Sequence, residues 1–313
     1  MDRPRREIDP QPPPARQLKS APEPLEAYLA RQSALVEKTL KGLLPPARRG
    51  TLHEAVRYSL LAGGKRLRPI LCLAAAEACG ARADAALPAA CAVECVHTYS
   101  LVHDDLPCMD DDDLRRGRPT CHVKFGEGMA VLAGDALLTH AFEFLAAARP
   151  PRNHTVADMV RELAIAAGAT RLIAVQAADL EAEGKKIPAA RLRFIHEGKT
   201  AAMISVSLRL GGMSAGASPA RLDALGNFGR SLGLAFQVID DILDVTQPSE
   251  VLGKSAGKDI RDQKSTYPST IGLEASRREA RRLTTRAKSS LRPLGGNASR
   301  LLEIADHLLG RKF

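Results

Sequence analysis

Residues Leu232 to Asp244 read LGLAFQVIDDILD, an apolar run that ends in three carboxylates. Leu234, Ala235, Phe236, Val238 and Ile239 place the run in a core, and Asp240 and Asp241 emerge straight from it. Carboxylates in such surroundings are costly unless a cation neutralises them. On a helix Asp240 and Asp244 share a face, so their oxygens can converge on one hard cation such as Mg2+. A second acidic stretch, DDLPCMDDDD at Asp104 to Asp113, also follows a greasy segment. On an undisturbed helix Asp104 and Asp110 would point roughly 120° apart, and Pro107 between them can break that helix and let the chain bulge. Asp111, Asp112 and Asp113 alone read as a solvated charge run.

The flanking sequence repeats the helical pattern. Tyr28, Leu29, Leu35, Val36 and Leu40 recur at helical spacing up to Pro45 and Pro46. Thr51 with Glu54 predicts a capping box opening a second helix that Gly63 and Gly64 end. Ala- and Leu-rich segments follow at Pro69 to Cys79, Ala85 to Asp105, Ala130 to Ala148, Val156 to Leu180, Ala189 to Leu210, Leu222 to Val245 and Leu301 to Leu309. With aromatics at 4% and no Trp, the composition favours helix over sheet. An all-α fold follows, with neither a fixed-period repeat nor an alternating strand–helix pattern. The first 24 residues hold seven of the 20 prolines, so residues 1–24 are expected to form a disordered tail and residues 25–313 the folded domain.

The net charge of +9 suits an anionic partner of some kind. Nucleic acid is disfavoured by the scarcity of aromatics and the absence of a basic stripe. No uncharged apolar run of about 18 residues and no apolar leader occur, so a cytosolic protein without stable membrane insertion is expected. The six cysteines lack a CxxC pair and read as small buried hydrophobes; Cys91 and Cys95 find no second pair to complete a zinc site.

Further motifs stand in fixed order: GGKRLRP at Gly63 to Pro69, the His97 segment, RRGRPT at Arg115 to Thr120, GKT at Gly198 to Thr200, then GKSAGKD and KSTYP beyond the second acidic stretch. Together with the two aspartate stretches they resemble the trans-isoprenyl diphosphate synthases, and DDLPCMD is similar to the bacterial farnesyl diphosphate synthase form. The resemblance implies an isoprenoid synthase fold, a bundle of about ten core helices around a central cavity. It implies a homodimer that joins isopentenyl diphosphate to an allylic diphosphate by ionisation, condensation and proton loss.

By the same resemblance Asp104, Asp110 and Asp240 ligate three Mg2+ ions on the leaving diphosphate, with Asp105, Asp241 and Asp244 holding metal-bound waters. Lys65, Arg68, His97 and Arg116 match positions that hold isopentenyl diphosphate. Arg115, Lys199, Lys254 and Lys264 match those on the allylic diphosphate. Thr200 and Gln237 match positions whose oxygens face the carbocation. Tyr99, with Ser100 beside it, matches the floor that limits the product, which implies mainly farnesyl diphosphate made from dimethylallyl and geranyl diphosphate. The alternatives are geranyl or geranylgeranyl diphosphate as product, a non-catalytic partner subunit, or a terpene cyclase. Lys258 and the GRKF ending at Phe313 depart from the family pattern.

Overall fold

A computed structural model describes residues 23–44, 46, 50–182, 184–185, 187–246 and 265–310. Lys254, Lys258, Lys264 and Phe313 lie outside the described residues, as does the expected tail up to residue 22. The last two residues of that expected tail are docked. The Arg31 guanidinium donates to the Glu23 carboxylate at 3.0 and 2.8 Å, and Arg300 donates to the Glu23 carbonyl at 2.7 Å.

The described chain is helical throughout, apart from one two-stranded hairpin. In order the elements are α1 (Leu25–Leu43), α2 (Thr51–Leu60), α3 (Leu67–Ala78), α4 (Leu87–Asp104), the strands β1 (Leu114–Arg115) and β2 (Arg118–Pro119), α5 (Cys121–Phe125), α6 (Glu127–Ala146), α7 (Val156–Ala167) and α8 (Leu172–Ala182). Then come α9 (Ala189–His196), a π-helical turn (Glu197–Ala201), α10 (Ala202–Ser214), α11 (Pro219–Thr246), α12 (Tyr267–Ile271), α13 (Leu273–Ser290) and α14 (Ser299–Leu309).

Helix α4 packs on α6 in one half of the core, and α11 packs on α13 in the other. Helices α3 and α10 lie against each other and contribute side chains to both halves, which joins them. Both α4 and α11 are buried along most of their length and release their aspartates at their C-terminal ends.

Several local expectations change. Gly50, not Thr51, is the N-cap of α2 and no side chain caps it, because Thr51 already has helical geometry. The segment from Val156 breaks at Gly168 into two helices. Helix α13 was hidden by its six basic residues; its buried face is made of Ser276, Ala280, Leu283 and Ala287. Cys108 is exposed and Cys79 only partly buried, so the reading of all six cysteines as core holds for Cys72, Cys91, Cys95 and Cys121 alone. Three helical stretches, Ala83–Asp104, Glu127–Ala146 and Val156–Ala182, are long and apolar enough to cross a membrane by length and composition; 67% of the first is buried inside the fold. A run that tolerates a few charges passes this test although no uncharged run of that length exists.

Candidate active site

The first aspartate cluster begins where α4 stops. Asp104 is its last residue, so Asp110 does not lie on that helix at all. The chain turns through Pro107 and folds back, with the Asp110 amide donating to the Asp104 carbonyl at 2.8 Å and the Asp112 amide to that of Asp105 at 3.2 Å. Asp111 takes a left-handed φ of 49° to complete the turn. This resolves the divergent directions that a continuous helix would give Asp104 and Asp110.

Asp104 and Asp105 are both buried. Gln176 of α8 donates to Asp104, and Lys199 Nζ sits 3.5 Å from its other oxygen. Burial pushes the Asp104 carboxyl up to about 6, with Lys199 opposing the rise and Asp110 adding to it. Arg115 grips Asp105, its Nε 2.8 Å from Oδ1, and reaches Asp112 at 3.1 Å. Burial raises the Asp105 carboxyl and the Arg115 hydrogen bond pulls it back.

The π turn bridges the two aspartate-bearing helices. Lys199 reaches Asp104 on one side, while the Thr200 hydroxyl donates to Gln237 Oε1 of α11 at 3.1 Å on the other. A wider turn re-aims successive side chains that an α-helix would send elsewhere, and such turns concentrate at functional sites. Gly233 makes the close approach feasible: a Cβ there would stand 2.5 Å from the Ala201 Cα. Further along α11 the buried Asp241 accepts the Tyr267 backbone N–H at 2.8 Å, tying the second cluster to α12. A cavity of about 250 Å3 opens here, lined by Asp179, His196, Lys199, Thr200, Gln237 and Asp241 among others.

Arginines and one histidine build the adjoining region. Arg66, left-handed at φ 47°, is buried by ion pairs to Glu94 at 2.5 Å and Glu37 and by donation to the Leu60 carbonyl at 2.6 Å. That anchor sends Lys65 into solvent and Arg68 inward. Burial lowers the Arg68 guanidinium below its ordinary value, and its Nε is buried without a hydrogen-bond partner. His97 is pushed well below the usual imidazole range by burial, reinforced by Arg68, Arg116, Arg66 and Arg115. A neutral imidazole amid four guanidiniums, with an orphaned donor beside it, is a cradle built for an anion.

Two expected residues stand differently. Tyr99 is buried and packs edge-on against His103 with centroids 5.8 Å apart; burial, with the Asp104 charge adding, pushes its phenol up to about 12. Ser100 donates to the His97 carbonyl at 2.9 Å, so its hydroxyl is engaged within its own helix. Gln176 and Asp179 were not singled out from the sequence, although a glutamine and an aspartate three apart inside the apolar run LIAVQAADL were the available signal.

Residues 49–292 match the family described as polyprenyl synthetase. The chain belongs to that family. It is a trans-prenyltransferase with the all-α isoprenoid synthase fold. One relative is the heterodimeric geranylgeranyl pyrophosphate synthase large subunit 1, chloroplastic, of Arabidopsis thaliana, 48% identical over 91% of this chain and 79% of the relative. The chloroplastic geranylgeranyl pyrophosphate synthase of Capsicum annuum is 46% identical over 91% of this chain and 78% of the relative. Among solved structures, an FPP/GFPP synthase of Zymomonas mobilis superposes with a TM-score of 0.79 at 35% identity, covering 91% of this chain and 98% of that one.

These polyprenyl synthetase relatives overturn the expected cytosolic placement, since both plant proteins carry chloroplastic names. An apolar leader is a mark of secretion alone, whereas organelle transit peptides are amphipathic and rich in Arg and Ser.

Proposed function

We propose that this polyprenyl synthetase condenses isopentenyl diphosphate with allylic diphosphates up to the C20 product, geranylgeranyl diphosphate. The observation that carries the reading is the π turn, whose Lys199 and Thr200 join the carboxylate-bearing ends of α4 and α11 beside the arginine-lined cradle of His97. One region suits a diphosphate that must leave, the other a diphosphate that must only be held. The names of the Arabidopsis and Capsicum relatives support C20 over the C15 product expected from Tyr99.

Mg2+ fits the donor set. All six aspartates offer hard oxygens, and Asp104 is a buried carboxylate whose ionisation burial resists. Asp104, Asp110 and Asp240 would hold three ions, with Asp105, Asp241 and Asp244 on their waters. Bound there, Mg2+ supplies Lewis-acid neutralisation of the leaving diphosphate.

The remaining work falls to this chain's own groups. Lys199 and Arg115 donate to the allylic diphosphate, and Arg68, Arg116, His97 and Lys65 hold isopentenyl diphosphate. The Thr200 hydroxyl donates a hydrogen bond to Gln237 Oε1, which leaves the hydroxyl's lone pairs to face the developing positive charge. Pairing of two chains is proposed as well, since one relative is named as a heterodimer's large subunit and Val131 and Leu132 leave apolar surface exposed on α6. Light scattering of the purified protein checks it.

A second reading, farnesyl diphosphate, is favoured by one observation: the buried Tyr99 ring lies five residues before Asp104. Incubation with Mg2+, isopentenyl diphosphate and each allylic diphosphate, followed by sizing of the products, separates the two. C20 product supports the main reading, and a stop at C15 that Tyr99→Ala relieves supports the second. No condensation with any allylic partner overturns both.

A further inference from the structure

We infer that Tyr58 is a positioning residue for the isopentenyl diphosphate site, acting through the hairpin that carries Arg115 and Arg116; this rests on the reading of Arg116 above. The hairpin RRGR turns through Arg116 and Gly117, with φ of 55° and 72°. Two successive left-handed residues are the geometry of the tight turn that matches strand twist. Gly117 adopts it freely, but Arg116 carries a side chain and is strained there, so surrounding structure must hold it.

Two contacts from outside the hairpin do so. Arg116 donates to the Gly63 carbonyl, and Gly64 leaves room for it, since a Cβ there would stand 2.7 Å from the guanidinium carbon. The second contact is Tyr58 of α2. Its hydroxyl donates to the Pro119 carbonyl at 2.7 Å, and Arg118 Cζ lies 4.3 Å from its ring centroid. Lys124, just past the hairpin, places Nζ 4.1 Å from the same centroid, and Phe125 packs edge-on at 5.4 Å. One aromatic ring thus clamps β2 and the end of α5 through a hydrogen bond and two cation–π contacts. Strand β2 pairs directly with β1, Arg115 opposite Arg118, so the clamp sets the base from which Arg116 projects.

The consequence is asymmetric. Arg115 is held independently by Asp105 and Asp112 and keeps its place when the clamp is lost. Among the described residues Arg116 has no acidic partner within ion-pair distance, so apart from the Gly63 carbonyl its place is set by the hairpin. Removing Tyr58 therefore loosens the grip on isopentenyl diphosphate more than that on the allylic substrate.

The test is steady-state kinetics of the full chain with Mg2+ for Tyr58→Phe, Tyr58→Leu, Arg116→Ala and Tyr58→Leu/Arg116→Ala, with melting temperatures alongside. Tyr58→Leu should raise KM for isopentenyl diphosphate about tenfold, with kcat and the allylic KM changed less than about threefold, and Tyr58→Phe should fall between it and the parent. On the Arg116→Ala background Tyr58→Leu should add nothing further. An unchanged KM in a folded Tyr58→Leu protein overturns the inference, and so does a full additional effect in the double variant. If Arg116→Ala itself leaves KM unchanged, the assignment of Arg116 is what fails.

Discussion

The two halves of the proposed diphosphate site are built by opposite means. In the half around Asp104 burial raises carboxyls, and protein cations at Lys199 and Arg115 partly offset the charge. In the half around His97 burial instead lowers guanidiniums and an imidazole, with Glu94 the main opposing charge at Arg68 and Arg116. One half is short of positive charge and the other of negative charge. On the proposed reading the difference matches the two tasks, a leaving diphosphate in the carboxylate half and a held one in the arginine half. Each half also carries backbone strain: the three non-glycine residues with left-handed φ among the described residues, Arg66, Asp111 and Arg116, all lie in these motifs.

The largest expected effect breaks the carboxylate half. Asp104→Ala or Asp240→Ala should lower kcat by at least about a hundredfold, since each removes a proposed ligand of the ions that would stabilise the leaving group. The binding of isopentenyl diphosphate alone, measured calorimetrically, should change far less. Near-normal turnover in either variant would remove the metal assignment.

A smaller effect breaks the arginine half. Arg68→Ala should raise KM for isopentenyl diphosphate by about ten- to a hundredfold, because a half-buried guanidinium whose buried Nε has no hydrogen-bond partner makes a charge-assisted contact with reduced solvent screening. Lys65→Ala, on an exposed side chain, should raise it only about two- to threefold. Equal effects would mean that burial does not distinguish the two cations. Gly64→Ala tests the same half through space. Its Cβ would collide with the Arg116 guanidinium, so KM for isopentenyl diphosphate should rise about as much as in Arg116→Ala.

Chemistry was more legible in the sequence than the geometry that organises it. The carboxylate clusters stood out because charge straight after an apolar run is physically conspicuous, and both do end buried helices. The hairpin turn was hidden, since nothing about an arginine announces a left-handed φ. The π turn was hidden because Lys199 and Thr200 sit in an unbroken helical pattern and only contacts with α4 and α11 reveal the extra residue. Partners such as Gln176, Asp179 and Tyr58 come from other helices, and single-chain spacing does not register such contacts. Helix α13 was missed for a different reason: its buried stripe is mostly Ala and Ser, too weak to stand out against six cations.

The smallest effect sharpens the comparison, because each half holds one depressed histidine. His196 packs on Tyr267 with centroids 5.5 Å apart, and burial lowers its imidazole to about 4, Asp179 resisting the fall and Lys199 adding to it. The unfolded chain takes up that proton near pH 6.5 while the folded one does not, so nothing is lost above that value and stability falls as the pH drops toward 4. The loss through His196 should be about 1 kcal/mol at pH 6 and roughly 3 kcal/mol at pH 4. Melting of the metal-free protein across pH 7.5 to 5 should be flatter in His196→Phe than in the parent, by about 2 kcal/mol at pH 5. His97 faces only cations among its main neighbours, so its share of the slope should shrink when inorganic diphosphate occupies the arginine half. The His196 share should persist, since Asp179 already offsets part of its field. Identical slopes with and without diphosphate in His196→Phe would show that the anion does not bind beside His97.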